Sequence, residues 1–341
     1  MILSKAPFRI SFAGGGSDLP DFYRRHDGMV VSTTIDKAMY IAIHPYFHDK
    51  IRIKYSRTED VFSTAEVQHP LVRECLQEMN IECGMEIASF ADVPAGTGMG
   101  SSSAFTVCLL HALHALAGDM PQPHQLAAAA CHIEIERVGE PIGKQDQYAA
   151  AFGGLNCIRF HRDESVEVTP VACSPETRRE LEARLMIFYT GGERAASAIL
   201  QEQGRNMAQP DKFAAVVRMT ELAGELCAAL ERGNVESVGE ILHQGWLLKS
   251  RLARDITNDA IDSNYRLARE AGAEGGKLLG AGSGGFLLLY CHPERQSQVR
   301  EVLAHLREMP FAMTSEGSQI IYNDGQNDPI LVAKSPVLSG K

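Results

Sequence analysis

The sequence has no apolar run approaching the length of a membrane span, and FLLLYC at 286–291 reads as a buried strand. Its first residues, MILSKAPFRIS, lack the apolar centre of a signal peptide, so a cytoplasmic protein is expected. Positive charge is also scarce: 33 Lys and Arg stand against 43 Asp and Glu, for a net charge of −10. With no Lys/Arg block there is no electrostatic footprint for nucleic acid or an anionic membrane. The eight cysteines form no C-x-x-C pair and sit mostly in apolar runs, which suits free thiols of a reducing compartment. There is no H-E-x-x-H, so the twelve scattered histidines do not make a zinc site. No G-x-S-x-G is present for a hydrolase nucleophile. No lysine lies between Lys54 and Lys144, which removes a Walker A reading of the glycine loop found there.

What is there has the composition of an ordinary globular protein, and 341 residues suggest two domains. The first half reads mostly as strands, at 2–12, 29–34, 38–45, 51–55 and 83–91, followed by helices at 102–116 and 124–137 and a strand at 155–160. Helices dominate the second half, at 175–184, 194–204, 211–232, 235–253 and 258–271, with strands at 185–189, 285–291 and 319–322. The expected class is α+β, divided as 1–170 and 171–322 with a polar, proline-punctuated tail at 323–341.

The segment DVPAGTGMGSSSAFT, from Asp92 to Thr106, is the most informative. Gly96, Gly98 and Gly100 alternate; Ser101, Ser102 and Ser103 follow and open a helix-periodic run. Glycine allows tight turns and close approach to a ligand, and serine is a good N-cap. A helix start behind such a loop suits phosphate, through free N–H groups and the positive end of the helix dipole. The alternative is a plain glycine turn before a core helix.

Three further stretches carry polar residues at special positions. AGGGSDLP (13–20) is a glycine turn in which Asp18 either accepts sugar hydroxyl protons or caps its own backbone. HIEIERVGEPIGKQDQ (132–147) places Glu134 late on a helix and Asp146 twelve residues on, so that one carboxylate could hold a cation and the other take a proton. Glu136 beside Arg137 reads as a solvated face. KLLGAGSGGFLLLY (277–290) matches G-x-G-x-x-G, but its glycines follow a helix and open a strand, the reverse of the dinucleotide-binding order.

Together and in this order, the glycine motifs resemble those of the GHMP small-molecule kinases, which include galactokinase, homoserine kinase, mevalonate kinase and phosphomevalonate kinase. The resemblance spans about residues 1–322. APFRISFAGGGSDLP and GKQDQ are most similar to the heptose-phosphate branch. Galactokinases carry Gly where Phe8 stands and a Glu-His pair in the following turn, which GGGSD lacks, so the chain departs from that pattern while keeping Arg9 and Asp18.

The resemblance implies a ribosomal-protein-S5-like N-terminal domain and a ferredoxin-like C-terminal domain. It implies ATP on Pro94, Gly96, Gly98, Met99, Gly100, Ser101, Ser102 and Ser103, with Mg²⁺ on Ser102 and Glu134. Asp146 would take the acceptor proton and Arg9 would stabilise charge beside it. A sugar phosphate, phosphorylated at C1, would contact Ser17, Asp18, Lys144, Gly282, Arg194 and Lys249. The three basic residues are equally well read as solvated surface charges.

Neither nucleic acid nor membrane is an expected partner, and an oligomer is compatible with the composition. A fucokinase- or galactokinase-like enzyme is an alternative. So is a non-catalytic sensor, although a degenerate member would be expected to lose at least one of Arg9, Ser102, Glu134 and Asp146. An isoprenoid acceptor would ask for more apolar cleft residues than Ser17, Asp18, Lys144 and Gln145.

Overall fold

The structure, a computed structural model, describes residues 1–192 and 196–325. Strand Ile2–Ala13 is buried at every position from Ala6 onward, as expected where both faces are covered. It pairs antiparallel with Gly28–Pro45, and helices Ser101–Leu116 and Pro210–Glu231 both pack on this pair. The two strands expected at 29–34 and 38–45 are therefore one strand of 18 residues. The polar Asp36-Lys37 pair reads as a break but marks a bulge. The register shifts between Pro7 and Arg9, where Pro7 has no amide hydrogen to give. Asp36 pairs instead with Ala312, through its backbone N–H and its carboxylate.

The first sheet runs Gln319–Asn323, Ile2–Ala13, Gly28–Pro45, Met85–Ala91, Ile51–Lys54, Thr58–Val61. Leu155–Phe160 and Met313–Thr314 also pair with Gly28–Pro45. Gln319–Asn323 straddles the end of the second domain and the start of the tail as assigned by sequence, yet it closes the edge of the first sheet. The second sheet is antiparallel, in the order Arg307–Glu308, Leu185–Gly191, Gly285–Cys291, Ala273–Leu278. Helices Val238–Lys249 and Asp259–Glu270 pack on it.

Several elements were not legible in the sequence, among them helices Gln145–Phe152 and Gln296–Val302 and strands Thr58–Val61 and Val166–Pro170. Helix Pro70–Glu78 is another. Strand Ala273–Leu278 was missed because AEGGKL has little strand propensity. Its glycines serve packing: a Cβ on Gly275 would lie 1.8 Å from the carbonyl oxygen of Gly239, in the helix crossing over it. The glycines at 280–285 therefore join two antiparallel strands rather than follow a helix. No helix opens after them, so the dinucleotide reading stays excluded.

Candidate active site

A cleft of about 280 Å³ is lined by all three glycine motifs. Arg9 sits just past the bulge in the first strand, with its backbone N–H donating to the carbonyl of Met99 at 3.1 Å. The nearly buried guanidinium reaches Asp146, with Nε donating to Oδ1 and Nη2 to Oδ2, both at 2.7 Å. Its third bond, from Nη1, goes to the Gly98 carbonyl at 2.6 Å. One side chain thus ties the acid to the glycine loop. Asp146 stands in the first turn of helix Gln145–Phe152.

In the loop, Gly96, Gly98 and Gly100 all have positive φ, at 72°, 82° and 74°. Gly98 lies against the third glycine motif, where a Cβ would come within 2.4 Å of the Leu279 carbonyl oxygen. The sequence suggested a serine N-cap, but Gly100 holds that position in the left-handed conformation, without a side-chain cap. A Cβ on Gly100 would meet the Asp146 carboxylate at 3.3 Å, so the turn is bare because the acid is beside it. Ser101, Ser102 and Ser103 form the first turn of helix Ser101–Leu116 and line the cleft. Pro94 and Met99 do not line it. Pro94 is exposed and its carbonyl accepts from Thr97, while Met99 is fully buried.

Freed from capping, the Ser102 hydroxyl donates to Glu134 Oε1 at 2.9 Å. Glu134 lies not on a regular α-helix but in a π-helical turn, His132–Arg137, which follows helix Pro123–Cys131. Such turns re-aim side chains and are frequent at functional sites. Gln147 Nε2 donates to the other Glu134 oxygen at 2.5 Å. Burial pushes the Glu134 carboxyl upward, against the hydrogen bonds from Ser103, Ser102 and Gln147. Among the described residues its hydrogen-bond donors are neutral and no basic side chain pairs with it. Glu136, as expected, is exposed and bonds His132.

Asp18 is buried and accepts from the Gly16 N–H at 3.0 Å and from Gln145 Nε2 at 3.0 Å. It therefore caps its own turn and also ties that turn to the Asp146 helix. Burial first, and then the charge of Asp146, raise its pKa. Lys249 and Gly282 line the same cleft. Burial first, and then the nearby Arg9, lower the Lys249 ammonium to about 8.

The structure does not bring Ser17 or Lys144 to the cleft. Ser17 Oγ is buried on the Met29 backbone, accepting from its N–H and donating to its carbonyl, both at 3.0 Å. Lys144 pairs with Glu164 at 2.6 Å and lies 4.7 Å from the centre of the Tyr23 ring. Arg194 lies outside the described residues. Sequence reasoning missed Lys277, Ser11 and Gln203, all lining the cleft. Lys277 had a signal, a charged residue heading an apolar glycine motif; Gln203 on helix Ala196–Asn206 had none.

Comparison with known proteins decides the family. The model for the GHMP kinases N terminal domain matches residues 67–154, and that for the GHMP kinases C terminal domain matches 226–308. The chain belongs to the GHMP kinases.

It is 27% identical over 335 residues to D-glycero-alpha-D-manno-heptose 7-phosphate kinase of Campylobacter jejuni, covering 93% of this chain and 97% of that one. It is 26% identical to the bifunctional fucokinase/GDP-fucose pyrophosphorylase of Arabidopsis thaliana, over 87% of this chain but only 30% of that protein. A crystal structure of a D-glycero-D-manno-heptose 1-phosphate kinase from Bacteroides thetaiotaomicron superposes with a TM-score of 0.77 at 26% identity, covering 95% of this chain and 100% of that one. As a GHMP kinase, the chain is a small-molecule kinase, a phosphotransferase with an alcohol acceptor. Kinases of this family use ATP, typically with Mg²⁺. No helix among the described residues is long and apolar enough to cross a membrane.

Proposed function

We propose that this kinase transfers the γ-phosphoryl group of ATP to the C1 hydroxyl of D-glycero-D-manno-heptose 7-phosphate, giving the 1,7-bisphosphate. The observation that carries the chemistry is the two-bond Arg9–Asp146 pair, tied to the glycine loop and set beside the start of helix Ser101–Leu116. Phosphoryl transfer asks the protein mostly for positioning and for stabilisation of charge. Each carboxylate oxygen has two lone pairs, so Asp146 can accept from Arg9 and still take the C1 hydroxyl proton. Arg9 holds that carboxylate in a fixed orientation, and its charge favours the anionic oxygen forming beside it. The helix N-terminus and the glycine loop offer backbone N–H groups to the triphosphate.

The residues present fit a magnesium ion. Ser102 and Glu134 supply a hydroxyl and a carboxylate, the hard oxygen ligands that Mg²⁺ takes. Glu134 is a buried carboxyl with only neutral hydrogen-bond donors, and a cation beside it would favour its charged form. When bound, Mg²⁺ neutralises charge on the phosphates.

The heptose assignment rests on the Campylobacter jejuni relative, which is similar along nearly its whole length. The sugar-phosphate reading is supported by basic side chains placed in the cleft of an acidic protein. ADP release measured across heptose 7-phosphate, fucose, galactose and mevalonate tests the reading. Heptose 7-phosphate should give the highest kcat/KM, and a faster reaction with fucose or galactose would replace it.

A further inference from the structure

The floor of the cleft holds two lysines that the transfer chemistry does not use. Lys249 is 7% exposed and Lys277 is 5% exposed. Lys249 Nζ donates to the Gly280 carbonyl, and Lys277 Nζ donates to the Ser11 carbonyl at 2.8 Å. An ammonium has three donors, so these backbone bonds leave capacity on both. Neither lysine forms an ion pair with a carboxylate among the described residues; Asp18 acts on both, and Asp146 on Lys249, only from farther off. The two lysines also repel each other, and burial together with that repulsion holds Lys277 well below its ordinary range. Burying two like charges without an ion partner is costly unless an anion completes the site.

Two neutral groups in the same place lack partners. Ser11 Oγ and Gln203 Nε2 are buried without a hydrogen bond, on residues 4% and 1% exposed. Both lie at the glycine turn that carries Asp18. A Cβ on Gly15 would be 3.8 Å from Ser11 Oγ and 3.9 Å from Lys249 Nζ, and one on Gly16 would be 2.1 Å from Gln203 Nε2. All of these residues line the cleft. The groups next to the start of the triphosphate helix, at Gly100, are instead Asp146 and Arg9.

We propose that Lys249, Lys277, Ser11 and Gln203 form a subsite for the phosphate that the acceptor sugar already carries, separate from the helix start that takes ATP. This rests on the sugar-phosphate reading above and extends it to residues that do no chemistry. The anchor holds the far end of the acceptor, so that its binding energy orients the reacting hydroxyl toward ATP.

Two variants test it. Lys277→Met replaces a buried amine that has no ion partner with an apolar chain of similar length, losing one hydrogen bond to the Ser11 carbonyl. Gly15→Ala keeps every charge and adds a methyl at ordinary contact distance inside the cradle. The first readout is the rise in Tm caused by inorganic phosphate with the ATP site filled by AMPPNP and Mg²⁺. That rise should be present in the parent protein and lost in both variants. In turnover, the preference for heptose 7-phosphate over the free sugar should fall about ten-fold or more, with the KM for ATP changed by less than about two-fold.

A phosphate-induced rise that survives in both variants would overturn the subsite. So would a KM for ATP that climbs as far as that for the sugar, since the lysines would then hold nucleotide phosphate. If Lys277→Met does not fold, Gly15→Ala decides alone. If the parent protein phosphorylates no sugar phosphate, the functional reading fails, while the calorimetric arm still decides whether phosphate binds here.

Discussion

Asp146 owes its place to Arg9. A lysine at position 9 would keep the charge but lose the fork that fixes both carboxylate oxygens. Asp146→Asn should leave the fold and AMPPNP affinity intact and lower kcat by about 10²–10⁴-fold. Near-normal turnover by the folded variant would remove the general-base role. The buried lysines give a pH signature. Lys249 titrates at about 8 in the folded chain, below its ordinary value of 10.5. The unfolded chain therefore binds more protons between those values, and stability should rise with pH across that window. Urea midpoints from pH 8 to 10 should show the rise, and Lys249→Met should reduce it.

At this scale the motifs singled out Arg9, Asp146, Ser102 and Glu134, and the structure pairs them, Arg9 with Asp146 and Ser102 with Glu134. Ser17 and Lys144 were misplaced because a polar residue in a motif carries no sign of which way it points. Ser17 turns to its own sheet and Lys144 to Glu164.

Among the elements, the interlock of the second and third glycine motifs shapes the end of the cleft proposed to take the nucleotide. A Cβ on Gly280 would sit 2.3 Å from the Cα of Gly98, so the two loops are in backbone contact. Gly98→Val would both strain a left-handed position and push the loops apart. It should raise the KM for ATP strongly and lower Tm. Gly118→Ala is the control, because Gly118 also has positive φ but has nothing within 4 Å of its added Cβ. It should lower Tm by the backbone cost alone and leave the KM for ATP unchanged; an equal rise in KM in both would dissociate the interlock from nucleotide binding. The longer helices of the second half were readable from their 3.6-residue periodicity, whereas the seven-residue helix Gln296–Val302 was not. Strand Ala273–Leu278 was not, because its glycines answer to the helix above it rather than to strand propensity. Glu134 read as an ordinary helical residue, since a π-helical turn leaves no mark in apolar spacing.

As a whole, the molecule is an acidic chain that places three buried basic side chains in one cleft, alongside Asp18, Glu140 and Asp146. Arg9, Lys249 and Lys277 come from a strand of the first sheet, a helix and a strand of the second sheet, so the site depends on both halves being docked. The two-domain plan could be read from composition and motif order. The return of Gln319–Asn323 to the edge of the first sheet could not, because pairing across more than three hundred residues has no local signal. Transfer to C1 of a sugar that keeps its own phosphate can be followed by ³¹P NMR of heptose 7-phosphate incubated with the enzyme, ATP and Mg²⁺. The expected spectrum has a new phosphorus resonance coupled to the anomeric proton, beside an unchanged 7-phosphate resonance. A new phosphate coupled to any other carbon-bound proton, or release of inorganic phosphate alone, would contradict it.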